Sequence, residues 1–283
     1  VIARTEHAAA GDDAFAGLAG LSMFLVPAYE DGADGERERH VAIGRVEEKL
    51  GQHGSATCTM QFDNAKAELI GKRGEGFAYM LTLMNNARIG VGFESLGLSE
   101  AALRCAREYA AERGSMGKTI DKHEMIADYL DEMTVDIAAV RALAVHCCWH
   151  EEIATKQDIR LRFGLLEGES ESDVRAAVKR HKQIARLGTP LLKYIASENA
   201  VKHARWAVQL HGGEGYTKDY EAERLLRDAM VMPIYEGTSQ IQSLMAMKDT
   251  LGAVIKRPQQ FATRYAQAKW RSVSARDPLE RGV

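Results

Sequence analysis

A long apolar stripe with helical spacing constrains the fold of this chain more than any other feature. Within residues 122–155, apolar side chains recur at alternating intervals of four and three: Ile126, Leu130, Met133, Ile137, Val140, Ala144 and Cys147. This period buries one face of a helix against neighbouring helices and is typical of a helix bundle. Three other helices are predicted at about residues 75–113, 190–210 and 220–230, and a last one begins after Gly237.

The first 70 residues show a different pattern, in which short apolar runs are separated by Gly, Asp and Pro. Residues 21–26, 40–46 and 56–62 are predicted strands, since they are short apolar runs bounded by turn residues. In the last of these runs, Cys58, Met60 and Phe62 alternate with polar residues, which predicts a sheet with one buried face. The polar, Gly-containing stretches around residues 12–13 and 30–39 are predicted loops.

Two stretches are predicted to interrupt the helices. A polar segment from 156 to about 175 separates the second helix from the next, and Gly188 before Thr189 and Pro190 predicts a helix stop and a new start. Residues 257–283 form a charged tail with no clear period. The chain is therefore predicted to be α+β, with a partial β-sandwich or barrel-like domain at 1–72 and an all-α four-helix bundle at 73–256. That bundle would contain an insertion at 156–186.

Composition excludes several classes of protein. Lys and Arg number 37 against 40 Asp and Glu, so the net charge of −3 predicts no attraction to nucleic acid. The apolar runs are too short for a membrane span, the first residues show no signal-peptide pattern, and the four cysteines lack the spacing of a disulfide framework. A soluble, cytoplasmic protein is expected. Cys147 stands where a zinc protease needs Glu, so His146 and His150 predict a helix face and no metal site.

The segment around Glu236 is the best candidate for a catalytic site. Pro233 disfavours helix in the residue before it, Gly237 permits a close backbone approach, and Thr238 or Ser239 can cap the helix that follows. Glu236 is therefore predicted to lie in a short connection ahead of a helix. From these residues alone it could be a solvated loop carboxylate or a catalytic base.

Ordered motifs upstream of Glu236 carry a family resemblance. The sequence reads QLHGGEGY at 209–216, RDA at 227–229 and IYEGTSQIQ at 234–242. This order resembles the C-terminal signature of the acyl-CoA dehydrogenase family, whose members have an N-terminal helical domain, a middle β domain and a C-terminal four-helix bundle. The resemblance covers the second half of the middle domain and the bundle. It implies that the N-terminal domain is absent here, the chain being a fragment or a subunit completed by a partner.

The resemblance implies FAD-dependent α,β-dehydrogenation of an acyl-CoA thioester. Glu236 would remove the α proton, the β hydrogen would pass as hydride to the flavin of FAD, and electrons would leave to an electron-transfer flavoprotein. The backbone N–H of the base and a ribityl hydroxyl would stabilise the developing enolate. A homotetramer or homodimer is expected. The alternatives are an acyl-CoA oxidase, a non-catalytic flavin-binding regulatory relative, and a helix-bundle scaffold without a ligand.

The resemblance also assigns roles to individual positions. The implied FAD-binding residues are Arg113, Ser115, Met116, Gln209, Gly212, Gly213, Thr238 and Gln240. The implied substrate-binding residues are Met84, Asn85, Arg88, Tyr235 and Gly237, with Arg88 on the CoA portion. The chain departs from the family pattern at Asn85, often Asp, and at Ser115 and Met116, usually Gln and Phe. Arg88 could instead be a salt-bridged helix residue, and Arg113 a cation at a helix C-terminus.

Overall fold

The fold is α+β, with a strand-rich N-terminal part followed by a helix bundle. The computed structural model describes residues 1–5, 18–32, 34–166, 168–277 and 281, so the predicted loop at Asp12 and Asp13 lies outside the described residues. The helices are α1 (Gly76–Glu112), α2 (Glu124–Phe163), α3 (Glu171–His211), α4 (Ala222–Ala229), α5 (Ser239–Lys256) and α6 (Pro258–Ser274). The strands are β1 (Ile2–Arg4), β2 (Leu21–Leu25), β3 (Tyr29–Asp31), β4 (Arg37–Arg39), β5 (Val41–Val46), β6 (Cys58–Phe62), β7 (Glu68–Ile70), β8 (Gly114–Ser115) and β9 (Lys118–Thr119).

The strand-rich part consists of small antiparallel sheets. Strand β2 lies between β1 and β7, while β3 pairs with β4 and β5 pairs with β6. The prediction of a loop at residues 30–39 was wrong, because β3 and β4 form a hairpin across it. The prediction of a buried face on β6 was also wrong, since Met60 and Phe62 are exposed. Alternation indicates which side chains share a face but cannot show whether anything covers that face.

The four-helix bundle is formed by α1, α2, α3 and α5, and its centre is unusually rich in alanine. Helices α1 and α3 are parallel to each other, because each is antiparallel to α2 in a consecutive helical hairpin. Small side chains at intervals of three and four let their backbones approach closely. The fully or almost fully buried alanines of the two helices are Ala102, Ala106, Ala110, Ala185, Ala196, Ala200, Ala204 and Ala207.

Helix α3 is continuous across the predicted break, so the prediction of a new helix at Pro190 was wrong. Pro190 cannot donate a backbone hydrogen bond, which normally weakens a helix interior. Here Thr189 and Pro190 are buried, and a side chain at Gly188 would collide with the sulfur atom of Cys147 on α2. Gly188 therefore permits the close approach of α2 and α3, and this packing overrides the local stop signal.

The predicted insertion and tail are also more helical than their composition suggests. Residues 156–163 are the last turns of α2, which ends at Gly164 in the left-handed conformation (φ +67°), and α3 begins at Glu171. A polar segment does separate the two helices as predicted, but its predicted bounds of 156 to about 175 were too wide at both ends. Ion pairs such as Arg160–Glu169 and Arg175–Glu171 lie at these solvated helix ends. The tail prediction missed α6. Within the described ranges, no helix is both long and apolar enough to cross a membrane.

Two buried histidines, His150 on α2 and His181 on α3, join the two helices, and the ring of Trp149 packs against both of them. The Nδ1 atoms of His150 and His181 are 2.8 Å apart, and Arg180 Nη2 lies 3.2 Å from His181 Nε2. Because arginine can only donate, His181 accepts at Nε2 and donates from Nδ1 to His150. His150 is thus a buried acceptor, and no group of three or more potential metal ligands occurs among the described residues.

The buried His150 predicts that acid destabilises the fold. Burial lowers the pKa of His150 from 6.5, and the nearby His146, His181 and Arg180 lower it further. At pH values between the pKa of His150 in the folded state and its pKa in the unfolded state, the unfolded state binds more protons. The contribution of His150 to the free energy of unfolding is therefore fully present above about pH 6.5 and is lost as the pH falls below that value. Substituting His150→Gln keeps an acceptor without the titration. We expect its free energy of unfolding to fall less than that of the wild type between pH 7.5 and 5.5; equal losses would contradict this.

Candidate functional site

Glu236 lies in a tight turn between α4 and α5, as the sequence predicts. Its backbone has a φ of +55°, a left-handed conformation that costs a non-glycine residue about 1–2 kcal/mol, and Gly237 follows with a φ of +93°. The residue is half-buried, and its Oε2 atom is buried without a hydrogen-bond partner among the described residues. The backbone N–H of Glu236 also has no acceptor in the described part of the chain. A strained acidic residue with a free oxygen is typical of a functional site.

Two buried side chains fix the peptide that follows Glu236. Arg88 Nε donates to the backbone oxygen of Glu236 at 3.1 Å, and Gln242 Nε2 donates to the same oxygen at 3.1 Å. Arg88 is only 4% exposed, and its Nη1 atom donates to Asn85 Oδ1 at 3.2 Å. Burial lowers the pKa of Arg88, while the charge of Glu236 raises it. The Arg88 guanidinium and the Gln242 amide therefore both bind the backbone oxygen of Glu236 and hold the turn in place.

Tyr235 anchors the other side of the turn to α1. Its hydroxyl donates to Glu94 Oε2 and lies 3.3 Å from Met232 Sδ, while Gln52 Nε2 donates to Glu94 Oε1 at 3.1 Å. Burial raises the pKa of Tyr235, and the hydrogen bond to Glu94 raises it further. Glu94 thus accepts at both oxygens. This contact ties the strand-rich part of the chain to the bundle beside Glu236.

The remaining predicted residues of this end surround the same turn. Thr238 is the N-cap of α5 and accepts from the backbone N–H of Ile241 at 3.5 Å. Gln240 and Asn85 are exposed, and Met84 is half-buried on α1 one turn before Arg88. A side chain at Gly237 would collide with the amide of Gln242. The chain thus brings together both kinds of predicted residue, those for substrate and those for the flavin.

A second predicted cluster lies at the opposite end of α1. Arg113 follows the last residue of the helix and is exposed, with no side-chain ion pair or hydrogen bond to the described residues. It precedes the β8–β9 hairpin, whose two-residue turn has positive φ at Met116 (+48°) and Gly117 (+80°). Ser115 is exposed and Met116 is 93% exposed. The hairpin therefore presents these side chains outward.

The loop after α3 lies at this same end. The ring of His211 stacks on Tyr109 with centroids 4.2 Å apart, which places the C-terminus of α3 beside the C-terminus of α1. Gln209, Gly212 and Gly213 are exposed, and no atom lies within 4 Å of where a side chain on either glycine would begin. The loop therefore offers open backbone at the same end of the bundle as Arg113, an arrangement suited to a phosphate group.

The two clusters are far apart within one chain. Arg88 and Arg113 are 25 positions apart along α1, which at 1.5 Å per residue corresponds to about 37 Å. The predicted helix at 75–113 already implies this separation, since Arg88 and Arg113 lie near its two ends.

Sequence reasoning missed several polar residues of the Glu236 end. Glu94, Lys193 and Gln242 all lie beside the turn or in electrostatic contact with it. Lys193 stands in the apolar run 191–196, and a lone cation in such a run was the available signal. Gln242 belongs to the motif at 234–242, but its partners are the backbone oxygens of Glu236 and Gly237, which no pattern of side chains reveals.

The strain at Glu236 leads to a prediction on stability. We expect Glu236→Gly to be more stable than Glu236→Gln by about 1 kcal/mol, because glycine adopts positive φ without the steric penalty of a side chain. Glutamine keeps both the strain and the side-chain volume and is the matched control. Urea unfolding of the two variants would measure the difference, and a glycine variant no more stable than the glutamine variant would contradict the left-handed backbone.

Comparisons with known proteins point to one family. The family model described as acyl-CoA dehydrogenase, C-terminal domain, matches residues 74–251. An acyl-CoA dehydrogenase of Bacillus subtilis is 38% identical over 239 residues, covering 83% of this chain and 54% of the relative. An acryloyl-CoA reductase (NADH) of Anaerotignum propionicum is 34% identical over 241 residues, covering 83% and 51%.

A solved structure gives the same result for the fold. Butyryl-CoA dehydrogenase from Megasphaera elsdenii superposes with a TM-score of 0.64 at 28% identity, covering 88% of this chain and 55% of that one. The chain therefore spans about half the length of the relatives it matches.

Proposed function

The chain belongs to the acyl-CoA dehydrogenase family, and on that premise we propose that it carries the catalytic base for FAD-dependent α,β-dehydrogenation of an acyl-CoA thioester. The observation that carries the proposal is the buried, unpartnered Oε2 of Glu236 in a strained turn. The product would be the trans-2-enoyl-CoA.

Glu236 is suited to remove the α proton. Its Oε2 atom is free to accept a proton, because no described residue donates to it. Its free backbone N–H can donate to the thioester oxygen as negative charge develops there, which lowers the barrier to enolate formation. Arg88 and Gln242 keep the turn fixed by binding the Glu236 carbonyl. Tyr235 and Gly237 are the residues on either side of Glu236 in this turn. We therefore propose a positional role for Arg88, whose 4% exposure leaves little surface for CoA.

The residues implied for FAD fit such a group. The Arg113 guanidinium has no partner among the described residues and lies at the same end of the bundle as the open backbone of Gly212 and Gly213, which suits a pyrophosphate. Thr238 and Gln240 lie next to Glu236, where they could hydrogen-bond the flavin end. When bound, FAD would supply the acceptor for the β hydrogen as hydride. The chain's own contribution is to hold the cofactor, orient the thioester and accept the proton.

The separation of the two clusters supports an oligomer. A single chain places Arg113 and Arg88 about 37 Å apart along the helix. We propose that a second copy supplies the Arg113 and Gly212 cluster to a cofactor whose flavin lies near Glu236, in a homodimer or homotetramer. An electron-transfer flavoprotein is the proposed electron acceptor.

Two other activities would use the same residues. An acyl-CoA oxidase shares the proton abstraction and differs only in passing electrons to oxygen. Reduction of an unsaturated acyl-CoA is the reverse reaction, and the relative named acryloyl-CoA reductase gives this direction specific support. Both keep Glu236 as the proton-transfer group. A non-catalytic flavin-binding relative would have no use for the strained carboxylate.

Flavin absorbance tests the proposal. The protein should be yellow, and anaerobic addition of acyl-CoA thioesters of several chain lengths should bleach the flavin with at least one of them. Reoxidation by air alone would indicate the oxidase, and reoxidation by an electron-transfer flavoprotein the dehydrogenase. A flavin that no thioester reduces and that no unsaturated thioester reoxidises would favour the regulatory relative, and a colourless protein the ligand-free scaffold.

A further inference from the structure

Lys193, in the middle of α3, is a buried cation that has no hydrogen-bond partner among the described residues. Its side chain is 0% exposed, and Nζ forms no hydrogen bond with any described residue. Burying an unpaired ammonium costs several kcal/mol, so such a residue is rarely kept by packing alone. Ala196, about one turn further along the same side of α3, is also buried, so this side of the helix holds an apolar residue as well.

The neighbouring turn contains the acceptors that Lys193 lacks. Three buried oxygen atoms on the Glu236 turn and the start of α5 have no partner within the described ranges: Glu236 Oε2, Ser239 Oγ and Gln242 Oε1. Helix α5 packs against α3. A lysine ammonium offers three donors, so the cation on α3 and the acceptors at the start of α5 are chemically complementary.

The charged groups that act on Lys193 come from three elements. They are Glu198 on α3, Arg88 on α1 and Glu236 ahead of α5. Two cations, Arg88 and Lys193, therefore lie within electrostatic range of the Glu236 carboxylate. In a buried site, a nearby positive charge favours the ionised form of a carboxylate.

Resting on the function proposed above, we propose that Lys193 is a positioning residue whose ammonium keeps the Glu236 carboxylate ionised and ready to accept the α proton. Burial lowers the pKa of Lys193 to about 8, so the ammonium persists at neutral and acidic pH. That is the range in which a half-buried carboxylate most needs a counter-charge to stay ionised. Above about pH 8 the ammonium of Lys193 is itself lost, so its removal should matter little there.

The pH profile of flavin reduction by acyl-CoA tests this role in the flavin-loaded protein. Lys193→Met removes the charge and keeps most of the volume. We expect its acid limb to move to higher pH by about one unit, so that the rate at pH 6 falls by up to about tenfold, the limit reached well below the midpoint of the limb, while the rate at pH 9 changes little. Lys193→Arg should restore much of the wild-type acid limb. Lys179→Met, an exposed position on the same helix, should match the wild type throughout.

The possible outcomes separate this role from a structural one. An equal loss at every pH, or no loss at pH 6, would overturn the proposal. If Lys193→Met does not fold, Lys193→Gln provides the same neutral test.

A stability measurement separates failure of this proposal from failure of the proposed function. The Lys193→Met and Glu236→Gln substitutions, alone and combined, form a double-mutant cycle in urea that needs no turnover. Non-additive effects would support the link between the two charges even in a protein that reduces no flavin. Additive effects would refute it.

Discussion

Glu236→Gln should lower the rate of flavin reduction by acyl-CoA by about 10²- to 10⁴-fold, the range that a general base contributes. Glutamine has nearly the same shape, and the bonds from Arg88 and Gln242 go to the backbone oxygen of residue 236, so the turn should persist. What is lost is the one atom able to take the α proton. Rapid-mixing absorbance of the bound flavin under anaerobic conditions gives the rate directly.

Glu94→Gln is the matched control, because Glu94 is the other carboxylate in contact with the turn. Both of its oxygens already accept, from Tyr235 and Gln52, so it is poorly placed to act as a base. We expect its loss to be below about tenfold, the equivalent of 1.4 kcal/mol. If Glu94→Gln stopped flavin reduction while Glu236→Gln did not, the base would be misassigned.

Local signals predicted the parts of the fold that depend on local chemistry. Helix α1 begins and ends within one residue of the predicted 75–113, and β2, β5 and β6 fall within the three predicted runs. The helix break predicted at Gly188 and Pro190 was wrong, because whether the helix continues there depends on the residues of the neighbouring helix that pack against it. Gly188 faces Cys147, a contact across two helices that no local pattern contains.

The sequence predicted only those parts of the site that belong to a continuous motif. The motif at 234–242 predicted the turn, a close backbone approach at Gly237 and a cap at Thr238 or Ser239, since all are set by neighbours in sequence. The structure shows Thr238 as the cap and a positive φ at Gly237. The support under the turn comes from Arg88, 148 positions away, and from Lys193 on α3. Such long-range contacts are set by how the helices pack, and periodicity specifies only which face of a helix is buried. The division into units at residues 72 and 256 stays a prediction.

Arg88→Met should lower the rate of flavin reduction by about 10- to 150-fold without preventing folding. The buried guanidinium donates to the Glu236 carbonyl at 3.1 Å and to Asn85 at 3.2 Å. A hydrogen bond from a charged group contributes about 1.5–3 kcal/mol, and each 1.4 kcal/mol of lost transition-state stabilisation is tenfold in rate. Methionine fills the space but leaves the carbonyl to Gln242 alone, so the turn should loosen.

The pattern of kinetic change distinguishes positioning by Arg88 from binding of CoA. A positioning residue lowers kcat and kcat/KM together, whereas loss of a CoA contact raises KM with kcat unchanged. Arg88→Lys should not rescue the rate, since an ammonium cannot reproduce the two directed bonds of the guanidinium. Asn85→Ala removes only the exposed partner of Nη1 and should cost less than about tenfold. A rise in KM alone in Arg88→Met would assign the residue to CoA and leave Gln242 as the main support of the catalytic turn.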